Sequence, residues 1–148
     1  MNSSTLVVDA NIAIHYVLQT AVPWQEQLLQ LWRAWSESGV RLCAPRLWIS
    51  ETFSAVHVIL KAGQIGPAEA RATLEFLEEL ELEFFDENFV LCQNAFAWAN
   101  KIGQSKIYDS IYLALAESLN AEFWTADQLL AGAAQKAGAA WVHWVGDC

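Results

Sequence analysis

Short apolar runs alternate along this chain with longer stretches in which apolar side chains recur every three or four residues. The first signature is that of a buried strand and the second that of an amphipathic helix. Residues 5–8 form a compact β-branched-rich run and predict a first strand. Residues 11–18 predict a short helix, stopped before Pro23. Residues 23–38 predict a longer helix with Pro23 in its first turn and Gly39 at its end; Trp24, Leu28, Leu31, Trp32 and Trp35 fall on one face. Residues 40–43 predict a second strand, and 45–61 a helix whose stripe includes Trp48, Ala55, Val56 and Ile59. A helix over 67–80, a strand over 82–85 and a helix capped by Asp86 or Asn88 and ending near Gly103 follow. The pattern closes with a helix over 109–119, a strand over 122–125, a helix over 127–137 and a last strand over 140–145.

Strands that alternate with helices predict right-handed crossovers and an α/β fold. Its centre is a parallel sheet of about four or five strands with helices on both faces, three layers in all. At 148 residues this reads as a single domain over 1–148. No repeat, linker or low-complexity tract divides it.

Four acidic residues stand out against that pattern. Asp9 ends the first strand, Asp127 follows the fourth by two residues, Asp109 opens a helix, and Glu51 borders the apolar stripe of another. Ligands of open α/β sheets gather beyond the carboxyl ends of the strands. Carboxylates collected there without cations repel one another, and an all-oxygen set favours a hard divalent ion such as Mg²⁺ or Mn²⁺. Each acid also has an ordinary structural reading. Asp9, Asp109 and Asp127 all sit where helix caps occur, and Glu51 can be a half-exposed helix residue. Their joint order favours the metal site.

Composition narrows the field. The apolar fraction is 55%, with eight Trp, enough for a substantial core. No run reaches the ~18 apolar residues of a membrane span, and residues 1–5 lack a basic start and a signal-peptide core, so a cytoplasmic protein is expected. Cys43, Cys92 and Cys148 have no metal-ligand spacing and read as reduced thiols. A net charge of -9 argues against a protein that coats nucleic acid, but not against an enzyme that reaches phosphate through metal ions. Among only eight basic residues, Arg46 lies near Glu51 in sequence, and Lys101 and Lys106 precede Asp109. Arg46 and Lys106 are candidates for contacting substrate. The run Glu75, Glu78, Glu79, Glu81 and Glu83 reads as a solvated face. His15, His57 and His143 form no triad, and neither Ser50 nor Ser110 sits in a nucleophile elbow. A phospho-acceptor receiver domain lacks its lysine after a late strand.

Taken in order, Val7-Val8-Asp9-Ala10-Asn11, Pro45-Arg46-Leu47-Trp48-Ile49-Ser50-Glu51, Tyr108-Asp109-Ser110-Ile111-Tyr112-Leu113-Ala114-Leu115-Ala116 and Thr125-Ala126-Asp127-Gln128-Leu129-Leu130 resemble the PIN-domain family, and most closely its VapC-type toxins. The resemblance implies the PIN-like three-layer fold and a Mg²⁺- or Mn²⁺-dependent endoribonuclease, the toxin of a toxin–antitoxin pair. It implies that Asp9, Glu51, Asp109 and Asp127 are the catalytic and metal-binding acids. It places Asn11 and Thr125 behind them, orienting the carboxylates. Its implied partners are RNA, a cognate antitoxin and a second copy of the chain in a homodimer, with no membrane. The Trp24, Trp32 and Trp35 face reads as helix packing, with a protein-binding surface as the other reading. The alternative function is a non-catalytic PIN-like module that holds a structural cation or binds protein.

Overall fold

The computed structural model describes residues 2–147. Met1 and Cys148 lie outside the described residues, and with them the expectation of a reduced thiol at position 148. The elements, in chain order, are β1 (Asn2–Val8), α1 (Ala10–Leu18), α2 (Gln25–Ser38), β2 (Arg41–Pro45), α3 (Leu47–Lys61), α4 (Pro67–Glu79), β3 (Leu82–Phe85), α5 (Phe89–Ile102), α6 (Tyr108–Ser118), β4 (Ala121–Thr125), α7 (Gln128–Lys136) and β5 (Val142–Trp144), followed by a 3-10 turn over Val145–Asp147.

All five strands are parallel, in the order β3-β2-β1-β4-β5. The chain steps outward from β1 to β2 to β3, then returns to the other side of β1 for β4 and β5. The order therefore reverses between β1 and β4, which opens a crevice at their carboxyl ends. Both faces of the sheet are buried. Val7, Cys43 and Phe123 belong to the larger core with Ile111, Tyr112 and Leu115 of α6. Leu6 and Val8 point the other way, into a smaller core with Leu28, Trp32 and Trp35 of α2. Burial on both sides explains why β1 reads as a continuous apolar run rather than an alternating one. The three-layer α/β architecture expected from the pattern is the one observed.

The aromatic face of α2 is interior. Trp32 stacks on Tyr16 with ring centroids 4.5 Å apart, and Trp35 meets Trp124 edge-on at 5.6 Å. Trp32 and Trp35 are buried, so those two side chains pack the core instead of forming an exposed binding surface.

The element boundaries differ from the sequence pattern chiefly at two prolines. Pro23 precedes α2 instead of opening it. It occupies the second position of a turn closed by the Gln25 N–H donating to the Val22 carbonyl at 3.1 Å, a site that suits proline's fixed φ as well as a helix start does. Pro45 ends β2 instead of starting α3. The β1–β2 register stops at Val7–Cys43, so β1 loses no hydrogen bond to the N–H that Pro45 lacks. β1 also begins earlier than its apolar run, and β5 is shorter than expected because residues 145–147 turn into the 3-10 segment. Of the two proposed caps for α5, Asn88 does the work, its side chain accepting from the Leu91 N–H at 2.9 Å.

Candidate active site

The crevice between β1 and β4 is built by two neighbouring strand-to-helix turns. The Asp9 N–H donates to the Trp124 carbonyl at 3.0 Å, which extends the β1–β4 ladder by one step. Asp9 then occupies the N-cap position of α1, yet its side chain makes no capping bond. Its carboxylate instead accepts from the Thr125 hydroxyl at 2.9 Å. That hydroxyl oxygen accepts in turn from the Asp127 N–H at 3.0 Å and from the Asn11 side-chain amide at 3.4 Å. Asn11 completes the staple by accepting the Ala126 N–H at 3.0 Å. The two turns are thus locked together by the polar side chains expected behind the acids. Asp127 caps α7, one of its oxygens accepting from the Leu130 N–H at 3.0 Å.

Asp9 is a buried carboxyl with no cationic partner. Burial pushes its pKa from 3.8 to about 7; repulsion from Asp109 and Glu51 adds to this, and the Thr125 hydrogen bond opposes it. Glu51 and Asp109 are also shifted upward. For Glu51 burial is the main cause, with Asp109 and Glu87 adding and the Tyr112 hydrogen bond opposing. For Asp109 burial again leads, with Asp127 adding and Gln104 opposing. Asp9 thus feels the charge of Asp109 and Glu51, Glu51 that of Asp109, and Asp109 that of Asp127. The ion pairs among the described residues lie elsewhere: Arg41–Glu83, Arg46–Asp86 and His143–Glu122.

An open cleft of about 550 Å³ leads to this edge. Glu51, Asp109, Gln104, Lys106 and Tyr108 line it. Lys106 lies in the lining of this cleft. Arg46 lies outside that lining, its guanidinium paired with Asp86 and its backbone N–H donating to Glu87 at 3.0 Å. Lys101 stands over the Trp98 ring, 5.1 Å from its centroid, instead of beside Asp109. The histidines are dispersed: His15 bonds Thr20 at 2.5 Å and His143 meets Glu122 at 3.0 Å.

Two site residues, Tyr112 and Gln104, escaped the sequence reading of function. The Tyr112 hydroxyl donates to Glu51 at 2.5 Å. Gln104 donates to Asp109 at 3.3 Å and accepts from the buried Ser110 hydroxyl at 3.3 Å. The spacing of Asp109 and Tyr112, three residues apart on one helix face, was a signal for Tyr112. No signal marked Gln104, which lies in the α5–α6 connection.

The donor set suits a hard divalent cation: four carboxylates, no thiolate or imidazole, and, among the described residues, no ion pair to any of the four. Among the described residues, no group of three or more such side chains is already arranged as a direct metal site.

Comparison with known proteins agrees with this fold. The sequence profile of the PIN domain matches residues 7–140. The chain belongs to the PIN-domain family. No curated protein matches it. Among solved structures, a toxin–antitoxin complex from Klebsiella pneumoniae superposes with a TM-score of 0.61 at 17% identity, covering 95% of this chain and 97% of that one. FitAcB from Neisseria gonorrhoeae gives 0.64 at 19% identity, covering 95% and 97%. VapC20 of Mycobacterium tuberculosis, a sarcin-ricin loop cleaving toxin, gives 0.59 at 11% identity, covering 86% and 94%. These similarities are similarities of fold. Among the described residues no helix is long and apolar enough to cross a membrane.

Proposed function

We propose that this protein is a Mg²⁺- or Mn²⁺-dependent endoribonuclease acting as the toxin of a toxin–antitoxin pair. The observation that carries the reading is Asp9: a carboxyl buried at the sheet's switch point, facing like charges from Glu51 and Asp109 and lacking a protein cation. Such a group is costly unless something positive joins it. Membership of the PIN-domain family and the likeness to toxin–antitoxin structures support the assignment.

Asp9, Asp109 and Asp127 would hold the ion, with Glu51 completing the set and Thr125 and Asn11 fixing Asp9. When bound, a divalent cation supplies positive charge to the phosphodiester and makes water there more acidic. Lys106 at the cleft receives a substrate phosphate, and Arg46, occupied by Asp86, serves at most a more distant stretch of RNA. Glu51 takes the proton from the attacking water as its oxygen bonds to phosphorus. The bond to the 3′-oxygen breaks, the leaving oxygen is protonated from solvent, and the product carries a 5′-phosphate.

The implied partners are a cognate antitoxin and a second copy of the chain. A net charge of -9 suits a basic segment of the antitoxin entering the acidic cleft. Exposed Phe89, Val90 and Phe96 on α5 offer apolar surface for either partner. Light scattering of the protein alone, and with the product of the adjacent gene, checks both; a monomer that ignores that product contradicts them.

The test of function is RNA cleavage by purified protein with Mg²⁺ or Mn²⁺, with chelator, and with Asp9→Asn. Cleavage that needs the ion and vanishes in the variant is expected. Full cleavage in chelator or by Asp9→Asn overturns the assignment. A non-catalytic module, the alternative that the loosely spaced acids leave open, requires that the ion change stability while no RNA is cut.

A further inference from the structure

The charged site is served by one buried group that none of the steps above uses. Tyr112 is fully buried on α6, and its ring stacks on Phe123 of β4 with centroids 5.6 Å apart and planes 26° from parallel. Its hydroxyl donates to Glu51 Oε1 at 2.5 Å. The same phenol oxygen faces the backbone N–H of Ala10, the residue after Asp9. One hydroxyl therefore ties α6 to α3, across 61 residues of sequence, beside the turn that carries Asp9.

We propose that Tyr112 is a positioning residue: it holds Glu51 toward Asp9, so that the remaining Glu51 oxygen addresses the cation. The inference rests on the reading of the four acids as a cation site. Three physical points carry it. First, Glu51 is half-buried on a helix that contributes no other acid to the site, and the one hydrogen bond observed to its carboxylate is from Tyr112. Without that bond, repulsion from Asp109 and the pull of solvent at the open cleft both turn the carboxylate outward. Second, the phenol cannot wander, because its ring is clamped between helix and sheet; such an aromatic pair contributes about 0.5–1.5 kcal/mol beyond area burial. Third, Asp109 and Tyr112 lie three residues apart on α6 and share a face. One rigid helix thus delivers an acid and, one turn deeper, the group that orients a second acid. Carboxylates that address metals are commonly set by such outer hydrogen bonds, whose loss costs about 10–100-fold in metal affinity or activity.

The ordinary alternative is that Glu51 merely satisfies a buried phenol. Mn²⁺ titration of the full chain, followed by the electron paramagnetic resonance of the free ion, separates the two. The set comprises wild type, Asp9→Asn, Tyr112→Phe, Glu51→Ala and the double variant Tyr112→Phe/Glu51→Ala. Tyr112→Phe keeps the ring stack and removes one oxygen. A rise in the Mn²⁺ dissociation constant of roughly 10-fold is expected. In the Glu51→Ala background the same change should add nothing, because the hydroxyl acts only through that carboxylate. Wild-type Mn²⁺ affinity in Tyr112→Phe overturns the inference, as does an equal Tyr112→Phe effect with and without Glu51. Failure of the cation-site reading looks different: Asp9→Asn would then bind Mn²⁺ like wild type. Circular dichroism melts of each variant identify any loss of binding that is only loss of fold, and such a loss in Tyr112→Phe also counts against the inference.

Discussion

The two strand-to-helix turns at the centre of the sheet share one plan and differ in one bond. Asp9 and Asp127 both follow parallel strands that lie side by side, and both occupy the N-cap of the next helix with extended backbone. Asp127 uses its side chain to cap; Asp9 does not. The capping bond therefore accounts for one carboxylate; the other, more deeply buried, is held instead by the Thr125 hydroxyl, and its pKa is pushed up to about 7. A turn that buries its acid beside other acids, with no cationic partner, is arranged for something positive to arrive. The two N-cap positions thus divide into one whose acid caps its own helix and one whose acid is held by the hydroxyl of the neighbouring strand.

The largest effect that can break this comparison is on catalysis. Asp9→Asn is expected to lower RNA cleavage by on the order of 10²–10³-fold, the size typical of losing one element of preorganised electrostatic stabilisation. Asp127→Asn, which keeps the cap, should retain more activity. Initial rates at saturating Mg²⁺ decide the order, and a more active Asp9→Asn than Asp127→Asn reverses the account.

Stability sharpens the same contrast. The folded protein holds the Asp9 proton up to about pH 7, whereas the unfolded chain releases it near 3.8. Between those values the unfolded state binds fewer protons, so metal-free stability falls as pH rises through that window and levels off above it. Glu51 and Asp109, also shifted upward, act in the same direction. Asp9→Asn should then stabilise the metal-free protein at pH 8 by on the order of 2–4 kcal/mol. Asp127→Ala should instead destabilise it by about 1 kcal/mol through loss of the cap. Urea denaturation of the two variants measures both; equal signs would remove the distinction between the turns.

Thr125→Val tests the staple between them. It removes the hydroxyl that serves Asp9, Asn11 and the Asp127 N–H at once, and a cost of about 1–3 kcal/mol is expected from the buried groups left unpaired. An unchanged denaturation midpoint would mean that the turns hold without it. The smallest effect concerns substrate. Lys106→Ala should raise KM severalfold with little change in kcat, and Arg46→Ala should raise it less, because its guanidinium is already engaged by Asp86.

Much of this site could be read before folding was considered. Asp9 and Asp127 were legible because each follows a compact apolar run, and a parallel strand buried on both faces announces itself as such a run. Asn11 and Thr125 were expected only through the resemblance to the PIN-domain family. What stayed hidden depends on tertiary packing. The adjacency of β1 and β4 is a matter of strand order, which local pattern does not encode. Pro23 and Pro45 were assigned to helix starts because proline's fixed φ suits a helix's first turn, a turn's second position and a strand's end alike. The bond from Tyr112 to Glu51 joins two helices distant in sequence, and Gln104 reaches Asp109 from a connection with no pattern of its own. The ring of Tyr112 was visible as a core residue; its hydroxyl acquired meaning only once α3 lay beside α6.

The most direct test of the central claim is the anomalous diffraction of crystals soaked in Mn²⁺. A single strong peak at the carboxyl end of β1 and β4, bound by Asp9 and ringed by Asp109, Asp127 and Glu51 directly or through water, is the expected result. A fully occupied peak elsewhere on the acidic surface, or none at that edge under saturating Mn²⁺, would contradict it.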